Sequence, residues 1–228
     1  MIPWRHLGSA EMPGGGGELR LMQRGAEFSI MLGTTELMNS RRSGSEEALA
    51  AITCERIHDR RRPNMLIGGL GMGFTLRTAL AELGDDATVT IAELVPSVVA
   101  WAKGPMAGIF GDCLNDPRLT IVETGVEHPI STGNASYDAI LLDVDNGPEG
   151  LTRKANDDLY STAGLRAAHR ALRPGGVLAV WSSSPNQAFT QRLNRTGFIV
   201  DEVKARARGK RGGARHVIWL AAKPGARS

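Results

Sequence analysis

From Asn64 onward, short apolar runs alternate with longer amphipathic ones. The short runs predict strands at 65–68, 88–93, 119–123, 138–143 and 176–181, and the stretches between them predict helices near 73–83, 95–103, 105–110, 157–171 and 186–195. Strands that stay apolar on both faces are covered by helices on both sides, so the alternation predicts a parallel α/β sheet. The ending departs from this rhythm. Phe198–Val203 and His216–Ala221 have only a loop between them and should pair as an antiparallel hairpin. Ahead of Asn64, strand-like segments at 18–23 and 27–32 meet near Arg24-Gly25-Ala26, and Gly33-Thr34-Thr35 turns the chain toward 36–39. These predict a small antiparallel sheet. Ser45-Glu46-Glu47 then opens a helix through Ile57, with Ser43 or Ser45 as cap and acids in the first turn. The expected organisation is a flexible N-terminus over 1–17, ending in Pro13-Gly14-Gly15-Gly16-Gly17, a small β-sheet over 18–44 and an α/β domain over 45–228.

Composition changes this picture little. A chain of 228 residues with 42% hydrophobic and 22% charged residues suits one α/β domain with an appendage. No apolar segment approaches the roughly 20 residues needed to cross a bilayer, and the N-terminus lacks a signal-peptide core, so cytoplasm is the expected location. With that location Cys54 and Cys113 are expected to stay unpaired, and neither has metal-site spacing. The net charge of +3 is concentrated locally, in Arg60-Arg61-Arg62 and in a late loop spanning Lys204 to Arg215. No aromatic residues interleave with that loop for base stacking, which argues against a nucleic-acid partner.

The candidate chemistry gathers at the carboxyl ends of the predicted strands, where open α/β sheets bind ligands. Gly68-Gly69-Leu70-Gly71-Met72-Gly73 follows the first core strand and precedes a helix. Glycines there let the backbone approach a ligand, and the helix start offers free N–H groups. The next strand ends at Glu93-Leu94, about 20 residues on, where a carboxylate can accept from both hydroxyls of a ribose. Together these read as a nucleoside site. The third strand delivers Thr124-Gly125 to the same edge. The fourth delivers Asp143-Val144-Asp145-Asn146-Gly147-Pro148, whose carboxylates can hold an ammonium or take its proton. Asp145 and Asn146 read equally well as caps of the Gly147-Pro148 turn. Tyr160 and Trp181 are candidates for the wall of an acceptor pocket, or for ordinary core packing.

On these residues the chain resembles the spermidine synthase family of polyamine aminopropyltransferases, which shares the Rossmann-like seven-stranded sheet of class I S-adenosylmethionine-dependent methyltransferases. The resemblance covers roughly residues 18 to 190 and takes in the front sheet, the glycine turn, Glu93, Asp116-Pro117-Arg118, the Asp143 loop and Arg173-Pro174-Gly175-Gly176. It implies a donor site at Gly68, Gly69, Gly71, Gly73, Glu93, Leu94, Thr124, Gly125 and Asp143 for S-adenosylmethionine or its decarboxylated form. It also implies a small-molecule acceptor touched by Asn39, Tyr160 and Trp181, catalytic roles at Asp143, Asp145 and Asn146, and a dimer through the front sheet. Three departures stand out. The family places a donor-binding aspartate where this chain has Gly71, a catalytic aspartate where spacing gives Asn146, and polyamine-binding groups where the ungapped match gives Asn39, Gly44-Ser45 and Ala48. A gap of one or two residues would bring Asp145 or Glu46 into place. An unpaired buried ammonium is costly, so these losses favour methyl transfer as the expected reaction. Aminopropyl transfer and a non-catalytic nucleoside-binding module are the alternatives.

Overall fold

The computed structural model describes residues 2–41, 43–144, 148, 158–206 and 215–225. Four antiparallel strands form the front sheet in sequence order: β1 (Arg5–Glu11), β2 (Glu18–Arg24), β3 (Glu27–Leu32) and β4 (Thr35–Asn39). Helix α1 (Gly44–Arg56) leads into the main sheet. Its strands are β5 (Asn64–Gly68), β6 (Thr88–Ala92), β7 (Leu119–Val122), β8 (Tyr137–Leu142), β9 (Leu172–Ser182), β10 (Ile199–Arg206) and β11 (Arg215–Ala222). They lie in the order β10-β11-β9-β8-β5-β6-β7, with β5 to β9 parallel and β11 antiparallel to both β9 and β10. The covering helices are α2 (Phe74–Glu82), α3 (Pro96–Lys103), α4 (Ala107–Phe110), α5 (Glu127–Thr132), α6 (Thr162–Ala171) and α7 (Gln187–Arg195).

The two-residue period of the strands divides the core. Met65 and Ile67 of β5, Leu141 of β8 and Ala179 of β9 face one layer, whereas Leu66, Ile140, Leu142 and Leu178 face the other. All eight are fully or almost fully buried. The first layer also takes in Leu19, Leu21, Phe28 and Ile30 of the front sheet, together with Leu49 and Ala50 of α1. The front sheet and main sheet therefore share one core. A side chain on Gly8 of β1 would meet the Trp101 indole of α3 at 3.1 Å, so the two units approach closely at this position.

Three expectations need correction. Residues 5–11, expected within a flexible N-terminus, form β1, because Arg5 to Glu11 pair with β2 while the glycine run makes the turn between them. Helix α5 was not expected from Glu127-His128-Pro129-Ile130-Ser131-Thr132; its Pro129 falls in the first turn, where a missing N–H removes no intrahelical bond. Strand β9 begins at Leu172 rather than 176. Leu172 pairs with Tyr137 and Val177 with Ala139, so Arg173 to Gly176 bulge out of the ladder. The bulge has a partner below: Arg173 Nη1 donates to buried Asp138 Oδ2 at 2.6 Å, and Asp138 also accepts from the Asn64 N–H at 2.9 Å. Within the predicted helix over 157–171, Asp158 and Leu159 are helical, and after the break at Tyr160-Ser161 α6 begins, capped by the Ser161 hydroxyl, which accepts from Gly164 N–H at 3.1 Å. No helix among the described residues is long and apolar enough to cross a membrane.

Candidate active site

Strands β5, β6 and β8 end side by side, and their carboxyl-terminal loops open onto a cavity of about 210 Å³ that the front sheet closes from the other side. The glycine turn forms its floor. Gly69, Gly71 and Gly73 all have positive φ, at +84°, +52° and +74°. At Gly73 a Cβ would stand 2.3 Å from the Phe110 ring, so both backbone and space demand glycine there. Gly71 faces Met38, whose sulfur would lie 3.3 Å from an added Cβ.

Glu93 is 7% exposed and binds the turn directly: its carboxylate accepts from Leu70 N–H at 2.8 Å and from Val95 N–H at 2.9 Å. Burial pushes its pKa up and these backbone donors pull it down. Glu93 therefore fixes the turn from within the cavity it lines. Asp143, just past β8, accepts from the Thr75 hydroxyl of α2 at 3.2 Å. Burial pushes its pKa up to about 7, the Glu46 charge adds to the rise, and the Thr75 hydrogen bond opposes it.

Glu46, which the ungapped match passes over and a gap would bring into place, joins the site. It stands in the first turn of α1, lines the same cavity as Asp143 and accepts from the Ser45 hydroxyl at 2.7 Å. Its pKa is raised by burial, against the Ser45 hydrogen bond. The sequence carries a signal for it: Glu46, Leu49, Ala50, Thr53 and Ile57 follow helical spacing, which puts an acid on the apolar stripe of α1. Glu127 of α5 also reaches the cavity, folded over Gly125, where a Cβ would overlap its carboxylate at 2.1 Å. Leu37, Met38 and Asn39 of β4 and Met12 beyond β1 complete the front wall.

Most of the residues expected from the sequence meet here. Gly69, Gly71, Gly73, Glu93, Leu94, Gly125, Asp143, Asn39 and Trp181 all line the cavity. Asn39 has its amide engaged, donating to Glu36 at 3.1 Å and accepting from the Arg41 N–H at 3.0 Å. Trp181 packs edge-on against His216, and its indole N–H is buried without a hydrogen-bond partner among the described residues. Three do not line it. Gly68 is buried against Val126, Thr124 lies outside the lining, and Tyr160 belongs to the opposite core layer, edge-on to Phe189. Tyr160 is buried in that layer just before α6, and its hydroxyl donates to Val144 O at 3.4 Å. Asp145, Asn146 and residues 207–214 of the basic loop lie outside the described residues.

No family model matches the chain. Its overall fold is methyltransferase-like: a Burkholderia thailandensis 1,6-didemethyltoxoflavin-N1-methyltransferase aligns with TM-score 0.54 and 20% identity over 80% of this chain and 79% of that one. In sequence the chain is similar to curated polyamine aminopropyltransferases over part of its length. It is 31% identical over 132 residues to the polyamine aminopropyltransferase of Prochlorococcus marinus strain NATL1A, which covers 58% of this chain and 44% of the relative. It is 28% identical over 135 residues to that of Mycobacterium tuberculosis strain CDC 1551, covering 57% of this chain and 24% of the relative. The chain thus spans less than half the length of these curated relatives. The Thermotoga maritima spermidine synthase aligns with TM-score 0.74 and 17% identity over 96% of this chain and 72% of that one, a likeness of fold.

These relatives overturn the expectation of methyl transfer, since they are named for aminopropyl transfer. The physical error lay in treating the loss of an aspartate at Gly71 as the loss of negative charge from the site. Glu46 brings a carboxylate to the cavity from a different element.

Proposed function

We propose that the chain acts as an aminopropyltransferase of the spermidine-synthase type, using decarboxylated S-adenosylmethionine as donor and a small amine as acceptor. The observation that carries this reading is the charge of the cavity. Its described lining holds four carboxylates, Glu46, Glu93, Glu127 and Asp143, and no lysine, arginine or histidine. S-adenosylmethionine would bring its own carboxylate into that field, and like charges at close range are strongly unfavourable away from bulk water. The decarboxylated donor brings only a sulfonium and an ammonium. Both charges suit the site.

The residues present fit such a donor. Glu93 lines the cavity, where its carboxylate can meet ribose hydroxyls, and the glycine turn leaves room where a Cβ would intrude. The donor supplies a carbon activated by its positive sulfur. The protein's contribution is alignment: fixing donor and amine within reach removes much of the entropic barrier to a bimolecular displacement. Titration of the purified protein with both donors tests the reading. The decarboxylated donor should bind at least about tenfold more tightly, a difference of about 1.4 kcal/mol. Equal or tighter binding of S-adenosylmethionine would overturn it.

A further inference from the structure

The inner face of the front sheet sends Leu19, Leu21, Phe28 and Ile30 into the shared core, so alternation places Arg20, Met22, Ser29 and Met31 on the outer face. The water-facing side of an antiparallel sheet is ordinarily polar. This one carries an apolar patch: Met22 and Met31 on neighbouring strands and Trp4 just before β1, which with Arg20, Ser29, Glu36 and Arg41 line a second cavity of about 320 Å³. Sites for small organic molecules begin at about that size, roughly 300 Å³. The cavity lies across the front sheet from the active-site cavity and shares no lining residue with it.

Its walls are held in place. The Trp4 ring has the Arg24 guanidinium 4.7 Å and the Arg41 guanidinium 6.0 Å from its centre. Buried Ser29 donates to Glu36 at 2.7 Å, and Arg41 donates to the same carboxylate at 3.0 Å, so Glu36 and Arg41 answer each other. Arg20 is different. Half-buried on β2, it donates to the Gly33 carbonyl and has no carboxylate partner among the described residues. A guanidinium with spare donors beside two thioethers and an indole matches a ligand that carries one carboxylate on a compact apolar body. The planar fork pairs with both carboxylate oxygens, and the polarisable wall takes the apolar part. We propose that the outer face of the front sheet is a second small-molecule site, selective for apolar monocarboxylates, with Arg20 as its recognition residue. The active-site cavity does not suit such ligands, because Glu46, Glu93, Glu127 and Asp143 repel another carboxylate.

The test is calorimetric titration of the full chain with phenylacetate and with its uncharged analogue phenylacetamide, on the unmodified protein, Arg20→Gln and Arg195→Gln. Phenylacetate should bind the unmodified protein with a Kd of about 1 mM or tighter, and phenylacetamide at least about tenfold more weakly. Arg20→Gln should weaken phenylacetate by roughly tenfold or more and leave phenylacetamide within about twofold. Arg195→Gln, an exposed arginine of α7 outside the cavity lining, should behave as the unmodified protein. Saturation with decarboxylated S-adenosylmethionine should leave phenylacetate affinity within about twofold, since the two cavities are separate. The comparison of acid with amide needs no variant, so it decides the ligand class even if Arg20→Gln fails to fold. No saturable phenylacetate binding below about 10 mM, amide binding as tight as acid, unchanged affinity in Arg20→Gln, or competition with the donor would each overturn the proposal. Light scattering covers the remaining occupant. A dimer that Met31→Glu splits, together with absent carboxylate binding, would assign this face to a second copy of the chain and overturn the proposal as well.

Discussion

At the scale of single residues, Asp143 and Glu93 show how one cavity treats two carboxylates differently. Glu93 has two backbone N–H donors within 2.9 Å, so its charge is held by the fold. Asp143 has one hydroxyl donor and a neighbouring acid, and its pKa is pushed up to about 7. A carboxyl that binds its proton more tightly folded than unfolded stabilises the fold fully below its unfolded pKa, near 3.8, and loses that contribution as pH rises through about 7. The ligand-free protein should therefore lose stability between these values, by up to about 1.4 kcal/mol per pH unit from this group. Urea denaturation at pH values on either side should show that slope, and Asp143→Asn should flatten it. Glu93 and Asp143 were legible in the sequence because each ends an apolar strand. Glu46 was legible only through a gapped match, because its place in the cavity depends on the rotation of α1 against the sheet, and an acid in a first helical turn ordinarily serves the helix dipole.

The glycine turn is the element that ties strand, helix and ligand together. Its last residue, Gly73, serves as the left-handed cap of α2 and presses on Phe110. Gly73→Ala would combine left-handed strain with displacement of a buried ring, so a loss of at least about 2 kcal/mol is expected, read as a fall in melting temperature. Elements of this kind were visible in the sequence: β5, β6, β8 and the closing hairpin announce themselves by apolar runs cut by glycine or proline. β1, α5 and the start of β9 did not. Each depends on a partner rather than on its own pattern: β1 is an edge strand whose half-exposed residues do not alternate cleanly, α5 is a six-residue turn containing proline, and the bulge of β9 is anchored by Asp138 beneath it.

For the whole molecule, the decisive feature is the shared core. Leu21 is fully buried among residues of both sheets. Leu21→Ala should cost about 2–5 kcal/mol, and the loss should appear as one unfolding transition shifted as a unit rather than a separate early melting of the front sheet. Differential scanning calorimetry checks this. Fold class was readable because strand order follows from alternation plus the final hairpin, whereas the union of the two sheets comes from contacts between distant segments, such as Gly8 against Trp101, that leave no periodic trace.

That union also decides how the pocket exchanges its contents. Swinging the front sheet aside would bring Leu19, Leu21, Phe28 and Ile30 into water, at roughly 1.5–3 kcal/mol for each side chain. The sum rivals the entire stability of a typical domain. The sheet is thus a fixed jamb and not a door, and molecules must come and go past it through a passage whose width it sets once, when the chain folds.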